Sequence, residues 1–337
     1  MDLKDIELYD IKKMYQVYDK WPQIAKEAFA SKLEPVNYSK IDNIIFAGMG
    51  GSGTLGDIFL SILSKTNIHV SVVKGYHLPK TVDSNTLVIA TSISGNTIET
   101  LSVLKSALTL PCKVIAFSSN GNMKNFCEKN KIDFRNISME HSPRASFTRF
   151  FYGMLKVLQP ILPIEKNDVE ESLVQLEILS KNISSKNLTD ENNALNLAKW
   201  INGIPLIYFP AGLNAAAIRF KNSLQENSKM HTIAEDVIEA CHNGIMSWEI
   251  SSNVQPILLE GEDDFPKTKE RWKILKEFFN NNQIEFQEVH SVKGNIISKL
   301  INLIYLLDYT SIYLAIINNT DPTSIDSINF IKNRLDI

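Results

Sequence analysis

A polar turn rich in hydroxyl groups separates a β-branched run from a helical pattern. The run TLVIAT over residues 86–91 is typical of a strand, and Ser92-Ile93-Ser94-Gly95-Asn96-Thr97 follow it before apolar residues recur at helical spacing. A strand that ends in hydroxyl residues at a helix N-terminus builds an anion site, because backbone N–H groups and the helix dipole face the ligand. The turn contains no Lys or Arg. It therefore favours a small monophosphate over a polyphosphate with a metal, which requires a GxxxxGK[ST] loop. An ordinary capped turn is the structural alternative, with Asn96 as N-cap and Glu99 as its capping-box partner.

A second glycine-rich turn, Gly48-Met49-Gly50-Gly51-Ser52-Gly53, matches the GxGxxG pattern of dinucleotide-binding proteins. That pattern also requires an acidic residue at the end of the next strand, where it holds the ribose hydroxyls. Here the next strand ends at Val73-Lys74-Gly75, and a lysine there suits at best a 2′-phosphate. The sequence therefore argues against NAD or FAD, and Ser52 is better explained as a further donor to a small phosphorylated ligand.

Two basic residues have unexpected positions. Arg144 precedes an aromatic helical stripe over 147–158. A cation at the start of a helix opposes the helix dipole, so we expect an anion to compensate the charge of Arg144. The alternative is an arginine exposed to solvent in a loop. On the last helix, Ile325, Ile328, Ile331 and Leu335 define an apolar stripe. Lys332 lies within roughly 20° of Ile325 on that helix. Lysine is rare on a core-facing stripe unless it is paired, functional or snorkelling at the edge.

Two further residues could transfer protons. His242 follows apolar residues at helical spacing, Ala234, Val237, Ile238 and Cys241, and precedes the helix stop Asn243-Gly244. A helix C-terminus stabilises a protonated imidazole, although a capping histidine fits equally well. Glu226 ends a helical pattern over 213–225 on the face opposite its stripe, and its position alone predicts a surface glutamate.

The elements that must position these residues alternate along the chain. Strand patterns at 43–47, 68–73, 86–91 and 113–117 alternate with helical ones at 55–63, 98–108 and 123–130. The alternation resumes with strands at 204–209, 255–260 and 284–289, helices at 213–225 and 268–280, a long helix to 317 and a last helix from 323. This wiring predicts an α/β fold with two parallel sheets flanked by helices, whose strand C-termini border a ligand cleft. The predicted domains are 1–40 as a helical N-terminal extension, 41–163, a connecting helical segment at 164–190, and 191–337.

Composition bounds the function. The 337 residues are 44% apolar and 22% charged with a net charge of −3, which argues against nucleic acid or an anionic membrane as a partner. The three cysteines have no CxxC or Cys/His spacing, which favours a reducing compartment and no structural zinc. The acidic start is not a signal peptide and no apolar run approaches the roughly 18 residues of a membrane span, so we expect a cytoplasmic protein.

The motifs occur in an order that resembles a known family. GMGGSG at 48–53, SISGNTIET at 92–100, Pro143-Arg144, QENSK at 225–229 and His242-Asn243 together resemble the sugar isomerase (SIS) domain superfamily. More narrowly, they are similar to the bifunctional phosphoglucose/phosphomannose isomerases of archaea and some bacteria. The resemblance implies two flavodoxin-like SIS domains, a homodimer, and interconversion of glucose 6-phosphate and mannose 6-phosphate with fructose 6-phosphate through a cis-enediol. It implies no cofactor and no metal.

Residue by residue, the resemblance assigns roles to nine residues. It implies phosphate binding by Ser92, Ser94 and Thr97, with Gly51 and Ser52 lining the sugar and phosphate side of the cleft. It implies that Arg144 stabilises the enediolate, that Glu226 is the base, and that His242 and Lys332 open the sugar ring. The family's histidine comes from the neighbouring subunit, so the resemblance places the active site at a subunit interface.

The resemblance has limits. Gly244 replaces an acidic residue that relatives often show after His-Asn, residues 164–190 match poorly, and Lys332 is located only by its distance from the C-terminus. Three alternatives stay open: a non-catalytic SIS protein that senses a sugar phosphate, an isomerase of another phosphosugar, and a dehydrogenase.

Overall fold

The computed structural model describes residues 1–335, and its contacts divide the chain into two compact units. The N-unit contains residues 20–166 and 331–335, and the C-unit contains residues 1–19 and 167–330. The predicted extension over 1–40 is thus divided between the units. Its helices are α1 (Leu3–Tyr9) and α2 (Tyr15–Asp19) in the C-unit, and α3 (Trp21–Phe29) in the N-unit. The domain boundaries after residues 40, 163 and 190 remain a prediction.

Within the described residues, the N-unit contains one sheet of five parallel strands. They are β1 (Asn43–Ala47), β2 (His69–Val73), β3 (Thr86–Ser92), β4 (Lys113–Ser118) and β5 (Asp133–Asn136). Their order β2-β1-β3-β4-β5 is that of flavodoxin-like folds, as predicted. Every residue of the central strand β3 is buried, which explains why its sequence is a continuous apolar run rather than an alternating one.

Helices cover this sheet: α4 (Gly51–Leu63), α5 (Ile98–Ala107), α6 (Gly121–Asn130) and α7 (Phe147–Leu158). The aromatic stripe of α7 is its buried face, and α3 packs against it, with the Trp21 and Phe147 rings stacked at a centroid distance of 6.0 Å. A short 3₁₀ turn at Gln159–Ile161 ends α7. Proline at position 160 explains this stop, since it cannot donate to a continuing helix.

The C-unit contains, within the described residues, a sheet of four parallel strands in the order β7-β6-β8-β9. Before the sheet come α8 (Lys166–Ile183) and α9 (Asn193–Trp200). The strands are β6 (Ile204–Phe209), β7 (Ile233–Asp236), β8 (Val254–Glu260) and β9 (Gln287–His290). This order repeats that of the N-unit without its last strand, so the predicted duplication of the fold is confirmed.

The remaining helices of the described residues follow these strands. They are a 3₁₀ turn (Ala211–Leu213), α10 (Asn214–Ser223), a turn of π-helix (Leu224–Ser228), α11 (Val237–Ala240), a 3₁₀ segment (Gly244–Glu249), α12 (Pro266–Asn281), α13 (Ile296–Ile317) and α14 (Asp326–Lys332). The helix predicted over residues 164–190 is present as α8 with narrower bounds.

Helix α13 corrects one prediction from the sequence. It has 22 residues, and a window of 18 reaches a mean hydropathy of 1.7, which is long and apolar enough for a membrane span. The prediction that the sequence contains no apolar stretch of about 18 residues was therefore wrong. However, 89% of that window is buried inside the protein, as in the core helix of a globular protein.

Two strands were missed by the sequence analysis, β5 and β7. Both lie at sheet edges and are four residues long, with two charged residues in each. An edge strand is paired on one side only and need not be apolar, and these two short, charged strands show no apolar run or alternation for periodicity to detect. The apolar positions 234–241 were accordingly misassigned to one helix. Ala234 lies in β7, Val237 and Ile238 lie in the four-residue α11, and Cys241 follows that helix.

Candidate active site

The hydroxyl-rich turn lies at the C-terminal end of the central strand β3. Ser92 is the last residue of β3 and is fully buried. Its Oγ accepts hydrogen bonds from the backbone N–H groups of Gly95 at 3.1 Å and Thr97 at 3.4 Å, and lies 2.9 Å from Thr97 Oγ1. Ser94 and Thr97 are half-buried at the surface of the turn. The structure thus brings the three predicted phosphate ligands into one turn.

The start of α5 differs from the predicted capping box. The N-cap is Thr97 rather than Asn96, and no side chain caps the helix. The first intrahelical bond is from Leu101 N–H to Thr97 O. The preceding N–H groups of the first turn therefore face the turn without a side-chain acceptor, which is the arrangement that binds an anion.

Asn96 and Glu99 have other partners. Asn96 Oδ1 accepts from Asn122 N–H at 3.0 Å, and Glu99 Oε1 accepts from the Tyr76 hydroxyl at 3.3 Å. Tertiary contacts thus compete successfully with the local capping box.

The turn is packed against the loop that follows β4. Gly95 has φ of +75°, and a Cβ there would lie 1.7 Å from the Asn120 carbonyl oxygen. Gly95 O accepts from Met123 N–H at 2.9 Å, and Ile93 O accepts from Ser119 N–H at 3.2 Å. Only glycine fits at position 95, and its absence of a side chain allows the two backbones to meet.

The glycine-rich turn after β1 contacts the same site. Ser52, near the start of α4, is buried, and its Oγ accepts from Ile93 N–H at 3.2 Å. A Cβ on Gly48 would lie 2.9 Å from Thr91 O, so the two loops approach closely. Gly51 is half-buried at the first position of α4. The predicted pair Gly51 and Ser52 thus lies beside the hydroxyl-rich turn.

Lys74, which raised the question of a nucleotide phosphate, pairs with a carboxylate instead. Its Nζ lies 2.6 Å from Asp57 Oδ2, and the two side chains form an ion pair in which Asp57 is buried. Burial raises the pKa of the Asp57 carboxyl, and the hydrogen bond from Lys74 opposes that rise.

Arg144 is not the solvated loop arginine that was the alternative interpretation of its sequence position. It lies in the turn that leads into α7, in the N-unit, and its exposed fraction is only 7%. A guanidinium cannot lose its proton at neutral pH, so a buried one requires compensating acceptors or an anion. Its burial is consistent with a functional charge.

Glu226 is also less exposed than predicted. It lies in the π-helical turn Leu224–Ser228 that extends α10, and it is half-buried rather than on the surface. Single π-turns within helices are rare and are found most often at functional sites. The chain leaves the turn through Lys229, whose φ of +59° closes the helix end.

His242 is exposed in the turn after α11. Its N–H donates to Glu239 O at 2.8 Å, so it does follow a helix end, although that helix has only four residues. A Cβ at Gly244 would lie 2.7 Å from Glu235 Oε2, which is buried without a hydrogen-bond partner. The carboxylate of Glu235 thus occupies the space beside position 244.

Lys332 does not face a core. It is exposed at the last position of α14, and the predicted apolar stripe is exposed as well: Ile325 at 42%, Ile328 at 40%, Ile331 at 58% and Leu335 at 52%. The sequence pattern of α14 is amphipathic, but an amphipathic pattern does not specify which surface, if any, covers the apolar face of the helix.

The structure therefore presents the predicted site residues in two groups. Gly51, Ser52, Ser92, Ser94 and Thr97 come together at the C-terminal ends of β1 and β3. The N-unit also contains Arg144 and Lys332, while Glu226 and His242 belong to the C-unit.

A separate cluster of potential metal ligands lies in the C-unit and is bridged by a lysine. Glu260, Glu288 and His290 have oxygen or nitrogen atoms within 4.8 Å of one another. The Lys276 ammonium donates to Glu260 Oε1 at 3.0 Å and to Glu288 Oε2 at 2.9 Å. The cluster is thus an ion-pair network and carries no assignment as a metal site.

Comparison with known proteins identifies the two sheet-containing parts of the chain. The family model "SIS domain" matches residues 37–159, and "Bacterial phospho-glucose isomerase C-terminal SIS domain" matches residues 190–335. A bifunctional phosphoglucose/phosphomannose isomerase of Caldicellulosiruptor bescii is 33% identical over 95% of this chain and 97% of its own. The protein of the same description from Thermoplasma acidophilum is 29% identical over 87% of this chain and 89% of its own.

A solved structure shares the fold at low identity. The C-terminal domain of glucosamine-fructose-6-phosphate aminotransferase from Francisella tularensis has a TM-score of 0.67, covering 92% of this chain and 97% of that one, at 16% identity. With two matched SIS domains and a relative of 33% identity over nearly its full length, the chain belongs to the bifunctional phosphoglucose/phosphomannose isomerase family of the SIS superfamily.

Proposed function

We propose that this protein is an aldose–ketose isomerase that interconverts glucose 6-phosphate and mannose 6-phosphate with fructose 6-phosphate. The observation that carries the proposal is the similarity to the Caldicellulosiruptor bescii protein over almost the whole of both chains. The turn at the end of β3 supports it. The hydroxyl groups of this turn and the free N–H groups at the start of α5, which no side chain caps, are donors suited to one phosphate monoester.

The phosphate is bound by neutral donors in this proposal. Ser94 and Thr97 supply hydroxyl groups, and Ser92 fixes the turn by accepting from two of its N–H groups. Ser52 and Gly51 line the adjoining side, where the sugar begins. Because this grip is the same in the substrate and in the transition state, it should lower KM more than it raises kcat.

Isomerisation is assigned to Glu226 as base. Its carboxylate removes the proton from C2 of the open-chain aldose while the carbonyl oxygen on C1 gains a proton, which gives a cis-enediol. The proton on Glu226 then returns to C1 as the hydroxyl on C2 loses its proton, which gives the ketose. Charge that develops on the two oxygens is stabilised by Arg144, whose burial makes its field strong.

Mannose 6-phosphate differs from glucose 6-phosphate only at C2. Rotation of the open chain about C2–C3 presents the C2 proton of either epimer to the same base. One carboxylate therefore serves both sugars.

Ring opening is assigned to His242 and Lys332. One of the pair protonates the ring oxygen and the other takes the proton of the anomeric hydroxyl. Both side chains are exposed in the single chain, which suits groups that complete a site only when another surface covers them.

We further propose a cytoplasmic homodimer in which His242 enters the active site of the partner copy. Around His242 the chain exposes large apolar side chains, with Met246 at 62% and Ile250 at 78%. Exposed apolar residues at this density mark a surface that another protein covers.

A coupled assay tests the reaction. Fructose 6-phosphate is supplied, and glucose 6-phosphate is detected through glucose-6-phosphate dehydrogenase; mannose 6-phosphate is tested in the same assay in a second reaction. We expect both substrates to give product. Phosphosugar binding without turnover would instead indicate a sensor, and a higher kcat/KM for another phosphosugar would indicate a different isomerase.

The role of the base has its own test. Glu226→Gln should abolish exchange of the C2 proton with solvent deuterium while phosphosugar affinity is kept, and Glu239→Gln, a change at an exposed glutamate of α11, should leave exchange intact. Exchange that persists in Glu226→Gln removes this residue from the mechanism.

Subunit complementation tests the shared site. Glu226→Gln and His242→Ala homodimers, each inactive, are mixed, dissociated and reassociated. If His242 acts across the interface, half of the dimers are mixed and each regains one intact site, giving about a quarter of wild-type activity. No recovery would place His242 in the same subunit's site.

A further inference from the structure

A buried polar network lies behind the turn that carries Glu226. It consists of Arg219 and Ser223 on α10, Asn227 in the π-helical turn, and Asp308 and Ser311 on α13, and none of these residues is more than 5% exposed. We call these five residues the support network. Three of its members lie on the elements that lead to or contain Glu226, and two lie on the long core helix.

Asp308 is the centre of this network. Its carboxylate accepts from Arg219 Nη2 at 2.7 Å, from Arg219 Nε at 3.1 Å and from Ser223 Oγ at 2.6 Å. Burial disfavours the charge of Arg219, but the neighbouring Asp308 carboxylate, with contributions from Tyr18 and Glu226, raises the pKa of Arg219 above its usual value. The end of α10 is thus fixed to α13 by charge-assisted bonds.

Ser311 connects this helix to the turn itself. Its Oγ donates to Asp308 O at 2.6 Å, and it therefore accepts, rather than donates, in its 2.9 Å bond with Asn227 Nδ2. Ser311 O accepts from Ser228 Oγ at 2.9 Å. The two residues immediately after Glu226 are both held by this one serine.

A π-turn needs such anchors. Its wider ring of backbone atoms is less favourable than that of an α-helix, so tertiary bonds must hold it. A simple cap for a buried helix end would require only that polar groups be satisfied. Here the anchored residues, Asn227 and Ser228, directly follow Glu226 in the sequence. The side-chain oxygen of Asn227, Oδ1, is buried and has no hydrogen-bond partner. The arrangement fixes the geometry of the turn at a cost in polar burial.

We infer that Ser311 is a positioning residue, which holds Glu226 over the substrate by anchoring Asn227 and Ser228, and that Asp308 fixes Ser311 and the end of α10 for this purpose. The inference rests on the proposed role of Glu226 as base. A carboxylate that must take a proton from one carbon and deliver it to the next depends closely on its position, since a displacement of about 1 Å can cost about a hundredfold in rate.

The test compares two hydroxyl deletions on neighbouring residues of α13. Ser311→Ala removes the hydroxyl that accepts from Asn227 and keeps the backbone carbonyl that accepts from Ser228. Thr310→Val removes a buried hydroxyl that bonds only within its own helix, to Leu306 O at 3.0 Å. We expect Ser311→Ala to lower kcat by about tenfold to a hundredfold with KM changed by less than about twofold. Thr310→Val should retain the wild-type kcat. Equal kcat values in the two variants overturn the inference.

A double-mutant cycle separates positioning from general destabilisation. Asn227→Ala should lower kcat as Ser311→Ala does, and the double variant should be no slower than either single variant because both delete the same bond. Multiplicative effects on kcat would show that the two residues act separately and would overturn the inference.

Hydrogen exchange gives a readout that is independent of activity. In Ser311→Ala the amides of a peptide covering 224–230 should exchange about fivefold faster, as expected for the loss of one hydrogen bond, and in Thr310→Val they should not. If the wild-type protein shows no isomerisation, the proposed function fails, and this measurement still decides whether Ser311 holds the turn. Unchanged exchange in Ser311→Ala overturns that claim.

Discussion

Gly95 gives the sharpest test of the phosphate site, because replacing it changes geometry without removing a polar group. The substitution Gly95→Ala adds a single methyl group to the turn. That Cβ would lie 1.7 Å from the Asn120 carbonyl oxygen, 2.6 Å from Ser118 Oγ, and on a backbone with φ of +75°. Real Cβ contacts essentially never fall below 3.0 Å, so the turn and the loop after β4 must separate by more than about 1 Å.

The cost can be estimated in two parts. The left-handed φ costs about 1–2 kcal/mol for a residue with a side chain, and this part lowers stability. The displacement also moves the N–H and hydroxyl groups that bind phosphate. A hydrogen bond to a charged group contributes about 1.5–3 kcal/mol, so losing one raises KM by about tenfold to a hundredfold. Because the phosphate is bound equally in the ground and transition states, kcat should fall less than KM rises.

The assay is substrate saturation with fructose 6-phosphate, with thermal melting of the same sample to confirm that it is folded. Gly75→Ala is the matched control, since its Cβ would meet nothing within 4 Å and its φ is not left-handed. We expect Gly75→Ala to match the wild type. A folded Gly95→Ala protein whose KM lies within twofold of the wild type would refute the assignment of the phosphate to this turn.

Three further predictions follow from individual side chains. Arg144→Ala should lower kcat by about a hundredfold with little change in KM, as for loss of one group that stabilises a developing anion, and steady-state kinetics with an unchanged kcat would exclude Arg144 from the mechanism. Asp308→Asn should lower the free energy of unfolding by about 3 kcal/mol, because the buried Arg219 loses its counter-charge; urea denaturation that shows no loss would contradict this. Burial raises the pKa of the Cys127 thiol from about 9 to about 11, so stability should fall as pH rises from 9 to 11, where the unfolded thiol ionises and the native one does not. The melting temperature of Cys127→Ala should fall less steeply over that range, and parallel curves would argue against the assignment.

Local sequence patterns predicted much of the secondary structure. Strand and helix alternation placed β1, β3, β4, β6 and β8 within one residue at each end, since these strands are central and their burial on both faces gives an unambiguous apolar run. The edge strands β5 and β7 were missed for the converse reason. The order of the motifs along the chain predicted the superfamily, which comparison with known proteins confirmed.

The details of the site depended on contacts between distant residues. Asn96 and Glu99 have the spacing of a capping box, yet Asn122 and Tyr76 take those side chains, and no local pattern reports such partners. The Asp308–Arg219 pair joins residues 89 positions apart, so neither residue alone signalled the other.

The sequence by itself determined which segments form strands and helices and which turns could hold a phosphate, because periodicity and turn chemistry act over a few neighbouring residues. Only the tertiary structure decided which charges are buried, which cap forms, and which apolar faces remain uncovered. In the structure Arg144 is buried, Glu226 lies in a π-helical turn held by hydrogen bonds, and the apolar stripe beside Lys332 is exposed. Burial is a property of what packs against a residue, and that is set by contacts between elements far apart in the chain.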